Sequence, residues 1–242
     1  MHVKIIFRGQ ILILSLLLLS HYFAAFGQDT ILNKYGLWVI NDIKTLRATI
    51  IKDPGKQMID LQKFIPAIYI DLKYAGPNNF MHKKLYKNAT ATFLRMPAAS
   101  ALQQVQIELS ASGLALKVFD AYRPYAVTLE MWEPIKDDRY VADPKIGSGH
   151  NRGIAVDITL IDLHTKKELD MGTGFDNFSD TAHQTFTALP AQIIKNRKLL
   201  KSVMEKHGFK ALDSEWWHYS LPNAKDFELL NVSFKSLEKM KH

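Results

Sequence analysis

The sequence predicts an α+β fold: a single domain with a central, mainly antiparallel sheet flanked by helices. Three observations lead there. Candidate strands are separated by candidate helices, but in no strict βαβ rhythm. The chain has 242 residues, 47% of them hydrophobic, enough for one sizeable core. No internal repeat and no low-complexity linker divides it.

The first 27 residues stand outside that domain. Lys4 and Arg8 make a basic start, Ile11 to Leu19 is an apolar run, and Ala24, Ala25 and Gly27 form a small-residue zone before Gln28. This is the pattern of a signal peptide cleaved near Gly27 and Gln28. The apolar run is about half the ~20 residues that span a bilayer, so a membrane anchor fits less well. The expectation is export to the periplasm, with no stable membrane insertion afterwards.

Residues 28–57 read as an N-terminal extension, with a short apolar piece at Leu37 to Ile40 and a turn at Asp53-Pro54-Gly55. Residues 58–242 form the domain proper. Ile68 to Leu72 is a candidate strand, followed by a loop at 75–79. Residues 97–112 read as a helix: Pro97 suits its first turn, Ala98, Leu102, Val105 and Leu109 keep a 3–4 spacing, and Gly113 sits at the cap. A strand over 114–122 and a helix from Pro124 to Trp132 follow. The apolar, β-branched stretch 154–163 is a strand, and 172–176 is a loop. Residues 190–207 form a second long helix capped by Gly208, and the aromatic stretch 216–221 is the last candidate strand.

Composition limits the chemistry. There is no cysteine, so disulfides and thiolate ligands are excluded, and any metal must be held by nitrogen and oxygen. The net charge is +7; Lys4 and Arg8 supply two of these charges, leaving about +5 dispersed over the remainder. No basic run interleaved with aromatics marks a nucleic-acid surface. Oligomeric state is not legible.

Two stretches carry chemistry-bearing side chains. Ser148 to Asp157 places His150 and Asp157 seven residues apart, with glycines at 149 and 153; Glu215-Trp216-Trp217-His218 adds a His and a carboxylate. A catalytic zinc site takes three protein ligands and keeps one position open for water. His150, Asp157 and His218 would supply two imidazoles and a carboxylate, one zinc per chain, and Glu215 is the candidate proton acceptor. Residues seven apart on a flat strand face opposite ways, so Gly153 must mark a bend. Glu215 and His218 also have opposite strand parity, and need a bulge or a helical turn. Each piece alone has a plainer reading: a satisfied histidine, an aromatic strand. His82, His164, His183, His207 and His242 receive that plainer reading.

At this point Ser148-x-His150-x-x-Gly153-x-Ala155-x-Asp157, with Glu215-x-Trp217-His218, resembles the signature of the peptidases grouped around D-alanyl-D-alanine dipeptidase and the related D,D-carboxypeptidases. Asp120-Ala121-Tyr122-Arg123-Pro124 resembles the segment that delivers an arginine to the metal site. Met171 to Asp176 with Phe178, and Asp71 to Ala75 with Asn79-Phe80 and Leu85-Tyr86, resemble dipeptidase segments. The likeness runs over about 58–230 and departs at Met81-His82, where a small residue is expected. The resemblance implies a zinc site at the sheet, Glu215 as general base, Arg123 as oxyanion stabiliser, Asp176 on the substrate ammonium and Ser148 holding substrate. It implies D-alanyl-D-alanine as substrate. A carboxypeptidase or endopeptidase trimming peptidoglycan stems, and a wall-binding module without catalysis, are the competing readings.

Overall fold

The computed structural model describes residues 32–240; the expected signal segment, 1–27, lies outside the described residues. Strand β1 (Val39–Ile40) is followed by helix α1 (Ile43–Lys52), whose N-cap Asp42 accepts the Thr45 N–H at 2.9 Å. Ile43, Leu46 and Ile50 turn inward to a cluster with Phe234 and Leu237. From residue 39 onward, then, the stretch read as an extension packs into the fold. Strand β2 (Met58–Asp60) ends in Asp60, which caps α2 (Leu61–Phe64). Strand β3 (Tyr69–Ile70) precedes a long loop. Strand β4 (Phe93–Arg95) runs straight into α3 (Met96–Ser110), with Pro97 in its first turn as expected.

Strand β5 (Leu114–Asp120) leads through Pro124 to α4 (Tyr125–Ile135). The one-turn helix α5 (Gly149–Arg152) enters β6 (Ala155–Asp162), and α6 (Ala191–Lys206) precedes β7 (Lys210–Leu212) and β8 (Glu215–Ser220). Strand β9 (Leu229–Leu230) and α7 (Phe234–Glu238) complete the described chain.

Among the described residues, the central sheet has the order β3-β5-β6-β8-β7. The β5–β6, β6–β8 and β7–β8 ladders are antiparallel, and β3 adds to the edge in parallel. This is the mainly antiparallel sheet the sequence predicts. Two small pairs, β1–β9 and β2–β4, lie apart from it.

Alternation on the central strands divides the sheet into two faces. Leu116 and Val118 stand opposite Leu160 and Ile158, and with Val156 they form an apolar face. Leu102, Val105 and Leu109 of α3 and Leu200, Val203 and Met204 of α6 pack on it. Fully burying such side chains contributes about 1.5–3 kcal/mol each. Asp157, between Val156 and Ile158, is therefore turned to the other face, directly opposite His218 in the register.

Two departures from regularity position the site. On β5 the register slips between Val118 and Asp120, so Asp120 stands opposite Asp157. On β8 Leu212 pairs with Glu215 while Ala211 pairs with Tyr219, so extra β8 residues bulge between them. The irregular backbone expected between Glu215 and His218 is this bulge.

Candidate active site

The metal-ligand candidates begin with α5. Ser148 caps the turn by accepting the Asn151 N–H at 3.1 Å, and the Asn151 side chain accepts the Ser148 N–H at 3.0 Å. Gly153 ends it with φ 71°, a left-handed value that glycine takes without strain. The expected bend is thus a capped helical turn. Gly149 has no room for a side chain: a Cβ there would lie 2.8 Å from Ala155 Cβ and from Ser220 Oγ. His150 is carried between these two glycines and is buried.

His150 Nδ1 lies 2.7 Å from the Ala121 carbonyl oxygen. With the proton assigned to Nδ1, that nitrogen donates to the carbonyl and Nε2 is left bare. Nε2 is 3.1 Å from His218 Nδ1 and 3.3 Å from Asp157 Oδ1, and His218 Nδ1 is 2.9 Å from Asp157 Oδ1. The three donor atoms lie within 4.8 Å of one another. Burial works against an ionised Asp157, yet the two imidazoles hold its carboxyl well below the usual carboxylate range. Burial likewise opposes a charged His218, but the Asp157 hydrogen bond and charge raise it overall. Two imidazole nitrogens and a carboxylate oxygen, converging and oriented from behind, fit a zinc ion's donor preference.

Glu215 stands beside this cluster, with Oε2 3.9 Å from His218 Nδ1. Burial pushes its carboxyl up to about 7, against the pull of His218 and a hydrogen bond from Trp217. A carboxylate near that value exchanges protons at neutral pH.

Arg123 approaches from the end of β5. Its Nε and Nη2 donate to Asp120 Oδ2 at 3.0 and 2.8 Å, and Nη2 lies 4.0 Å from Asp157 Oδ2. Asp120 is fully buried; its other oxygen accepts from the Tyr86 hydroxyl and from the Ala121 N–H. The guanidinium also lies over the Tyr74 ring, 5.2 Å from its centroid. Asp120, Tyr86 and Tyr74 were visible in the sequence only as letters of a motif. Their arrangement around Arg123 depends on chain segments far apart in sequence, and no spacing announces it.

Asp176 sits on the loop after β6, at φ 58°, a left-handed conformation that Asp tolerates better than most residues. Oδ1 accepts the Tyr74 hydroxyl at 2.9 Å, while Oδ2 is buried with no hydrogen-bond partner. Burial pushes this carboxyl up to about 8. The loop is held at both ends by α6. Arg197 donates to the carbonyls of Met171 (2.7 Å), Thr181 (2.9 Å) and His183 (3.2 Å), and the Asn196 amide donates to Asp170 O at 2.8 Å. Sequence reasoning gave Arg197 no role.

The structure brings Arg123, Ser148, His150, Asp157, Asp176, Glu215 and His218 to the walls of one cavity of about 220 Å3. Ser148 reaches it with its oxygen already accepting a backbone N–H, so it is a capping residue with one proton left to donate. Tyr122 is turned away; its buried hydroxyl donates to Val232 O at 2.7 Å. Trp216 packs, with its indole N–H on Thr173 Oγ1 at 2.7 Å. Of the histidines given a plain reading, His207 lies 2.8 Å from Glu108, and none of those described joins the metal-ligand cluster. His82, in the pair where a small residue was expected, takes φ 52°, in the left-handed region. The loop closes all the same, because the Asn79 amide donates to the carbonyls of Gly76 and Lys83 at 2.7 and 2.9 Å.

Comparison with known proteins gives a consistent set of relatives. The Peptidase M15 family profile, described as D-ala-D-ala dipeptidase, matches residues 55–239. A D-alanyl-D-alanine dipeptidase of Escherichia coli (strain K12) is 38% identical over 178 residues, 74% of this chain and 91% of that protein. One from Enterococcus faecalis is 30% identical, over 66% of this chain and 89% of that protein. One from Streptomyces coelicolor is 31% identical over the same shares. Among solved structures, an LD-carboxypeptidase is 18% identical, with a TM-score of 0.40, covering 76% of this chain and 78% of its own.

Proposed function

The chain belongs to the D-Ala-D-Ala dipeptidase family of peptidases, and from that premise we propose that it hydrolyses free D-alanyl-D-alanine to two D-alanines at a single zinc ion. The observation that carries the proposal is a juxtaposition: His150, Asp157 and His218, whose donor atoms converge, line the same small cavity as Asp176, whose buried Oδ2 has no hydrogen-bond partner. A carboxylate oxygen without a partner is costly to bury and calls for a cationic or donor group on the ligand. The volume is below the ~300–1,000 Å3 typical of pockets for drug-sized ligands, and suits a very small substrate.

His150, Asp157 and His218 would hold the zinc. When bound there, the ion supplies Lewis acidity toward a water molecule and the scissile carbonyl oxygen. Asp176 receives the substrate's ammonium, with Tyr74 fixing its other oxygen. Arg123, held by Asp120, donates to the carbonyl oxygen as it becomes an oxyanion. Glu215 takes a proton from the attacking water as the O–C bond forms. It returns that proton to the departing amine nitrogen as the C–N bond breaks. Ser148 keeps α5 in place and offers its remaining proton to the substrate.

The test compares free D-Ala-D-Ala with N-acetyl-D-Ala-D-Ala. Faster turnover of the free dipeptide supports the reading; faster turnover of the acylated one points to a carboxypeptidase acting on stem peptides. We further propose that residues 1–27 direct export to the periplasm, where recycling or scavenging of wall-derived dipeptide is the natural role. N-terminal sequencing of the mature protein near Gln28 checks this, and an intact cytoplasmic chain beginning at Met1 would contradict it.

A further inference from the structure

Phe80, Tyr140 and Phe178 take no part in the chemistry above, and they come from three separate loops. Phe80 lies between β3 and β4, Tyr140 between α4 and α5, and Phe178 two residues beyond Asp176. Their rings nevertheless meet. Phe178 stands edge-on to Phe80 with centroids 5.2 Å apart, and tilts against Tyr140 at 4.8 Å. Phe80 continues edge-on to Tyr74 at 6.2 Å, the residue whose hydroxyl donates to Asp176. Phe80 and Tyr140 line the cavity, and Phe178 bridges them from outside its lining. Edge-on and tilted contacts at these distances are the favoured geometries for aromatic pairs.

We propose that this Phe80–Phe178–Tyr140 clasp sets the length of substrate the cavity accepts. The inference rests on the dipeptidase reading and deepens it. Asp176 selects for charge, since it needs a cation at the end of the substrate. The clasp selects for volume, since a residue added upstream of that amine must enter the space the three rings close. Phe178 is the keystone, because it alone touches both of the other rings and belongs to the loop that carries Asp176. The two devices are separable: removing the keystone ring opens space and leaves the carboxylate in place.

The experiment measures kcat/KM of the zinc-loaded full chain for D-Ala-D-Ala and for Gly-D-Ala-D-Ala, in the wild type, Phe178→Ala and Phe178→Tyr. The expected result is a tripeptide-to-dipeptide ratio raised by at least about tenfold in Phe178→Ala, the scale on which pocket volume discriminates. Phe178→Tyr, which keeps the ring, stays near the wild-type ratio. Equal slowing of both substrates in Phe178→Ala, or an unchanged ratio, overturns the clasp. If Phe178→Ala does not fold, Tyr140→Ala, from a different loop, is measured instead: a raised ratio supports the clasp and an unchanged one overturns it. A wild type that turns over Gly-D-Ala-D-Ala while leaving D-Ala-D-Ala intact counts against the dipeptidase reading itself. An unchanged ratio in an active variant counts against the clasp alone.

Discussion

His150, Asp157, Glu215 and His218 sit on α5, β6 and β8, whereas Asp176, Phe80, Tyr140 and Phe178 sit on long loops. The first group is fixed by ladder hydrogen bonds, a capping box and a register that puts Asp157 opposite His218. The second is fixed by side chains reaching in from elsewhere: Tyr74 on Asp176, Arg197 on the loop carbonyls, one aromatic ring on another. Reacting groups need placement to a fraction of an ångström, which sheet and capped turn provide. Groups that choose the substrate can sit on loops, whose lengths and contacts change without disturbing the sheet. The difference predicts that damage to the sheet-borne half removes turnover of every substrate, while damage to the loop-borne half changes which substrate is turned over.

The largest effect is expected at Glu215. Glu215→Ala should lower kcat by about 10²–10⁴-fold, the usual contribution of a positioned acid–base group. Metal content and melting temperature should stay close to wild type, and unchanged turnover would remove Glu215 from its role. Next comes Arg123. Its replacement by Ala should cost about 10²–10³ in kcat, comparable to the loss of one oxyanion donor. An effect on KM alone would reassign Arg123 to ground-state binding.

The electrostatics of the centre make a third, smaller prediction. In the metal-free protein, Glu215 and Asp176 are raised to about 7 and 8 from ordinary values of 4.5 and 3.8. The folded state therefore holds these protons more tightly than the unfolded state, and stability falls as pH rises from about 4 toward 8. His218, raised from 6.5, acts in the same direction: its contribution is present below 6.5 and is lost as pH climbs through its folded value. The depressed Asp157 supports the fold above the ordinary aspartate range and fails only in stronger acid. Chelated protein should thus be more stable near pH 6 than near pH 8, by on the order of a few kcal/mol. Added zinc should shrink the difference, because the cation favours the ionised carboxylates. Thermal denaturation at both pH values, with and without zinc, reads it; chelated protein more stable at pH 8 would contradict the assigned burial effects.

The smallest effect is expected at Arg197, where Lys can replace only part of the three-carbonyl contact. Arg197→Lys should loosen the loop from 171 to 183, visible as faster amide exchange there. It should raise KM for the free dipeptide more than it lowers kcat, with a stability loss of about 1–3 kcal/mol. Uniform destabilisation without a change in KM would make Arg197 a fold residue only.

The same contrast governs how much of the molecule was legible in the sequence. The long helices at 96–110 and 191–206 announced themselves through 3–4 periodicity and through Gly113 and Gly208. Gly153 and strand parity called for a bend before Asp157, and parity called for a bulge or a helical turn between Glu215 and His218; the structure has the bend, and of the two alternatives it has the bulge. Helix α1 and strand β4 were missed. Each buries too few residues to set a pattern: Leu46 alone is fully buried in α1, and β4 is three residues long. The cradle of Arg123 could not be read at all, because Tyr86, Asp120 and Tyr74 meet only after β5 and the long loop have folded. Asp176 carried a name from resemblance; its unpartnered oxygen and left-handed backbone belong to the three-dimensional structure.

The division between chemistry and selection is tested most directly by one ratio, kcat/KM for D-Ala-D-Ala over kcat/KM for N-acetyl-D-Ala-D-Ala, measured in Glu215→Gln and in Asp176→Asn. Glu215→Gln should slow both substrates alike and leave the ratio at its wild-type value. Asp176→Asn keeps the shape and the Tyr74 contact but loses the charge, so it should reduce the ratio by about 30-fold or more, equivalent to about 2 kcal/mol. A changed ratio in Glu215→Gln, or an unchanged one in Asp176→Asn, would contradict the account.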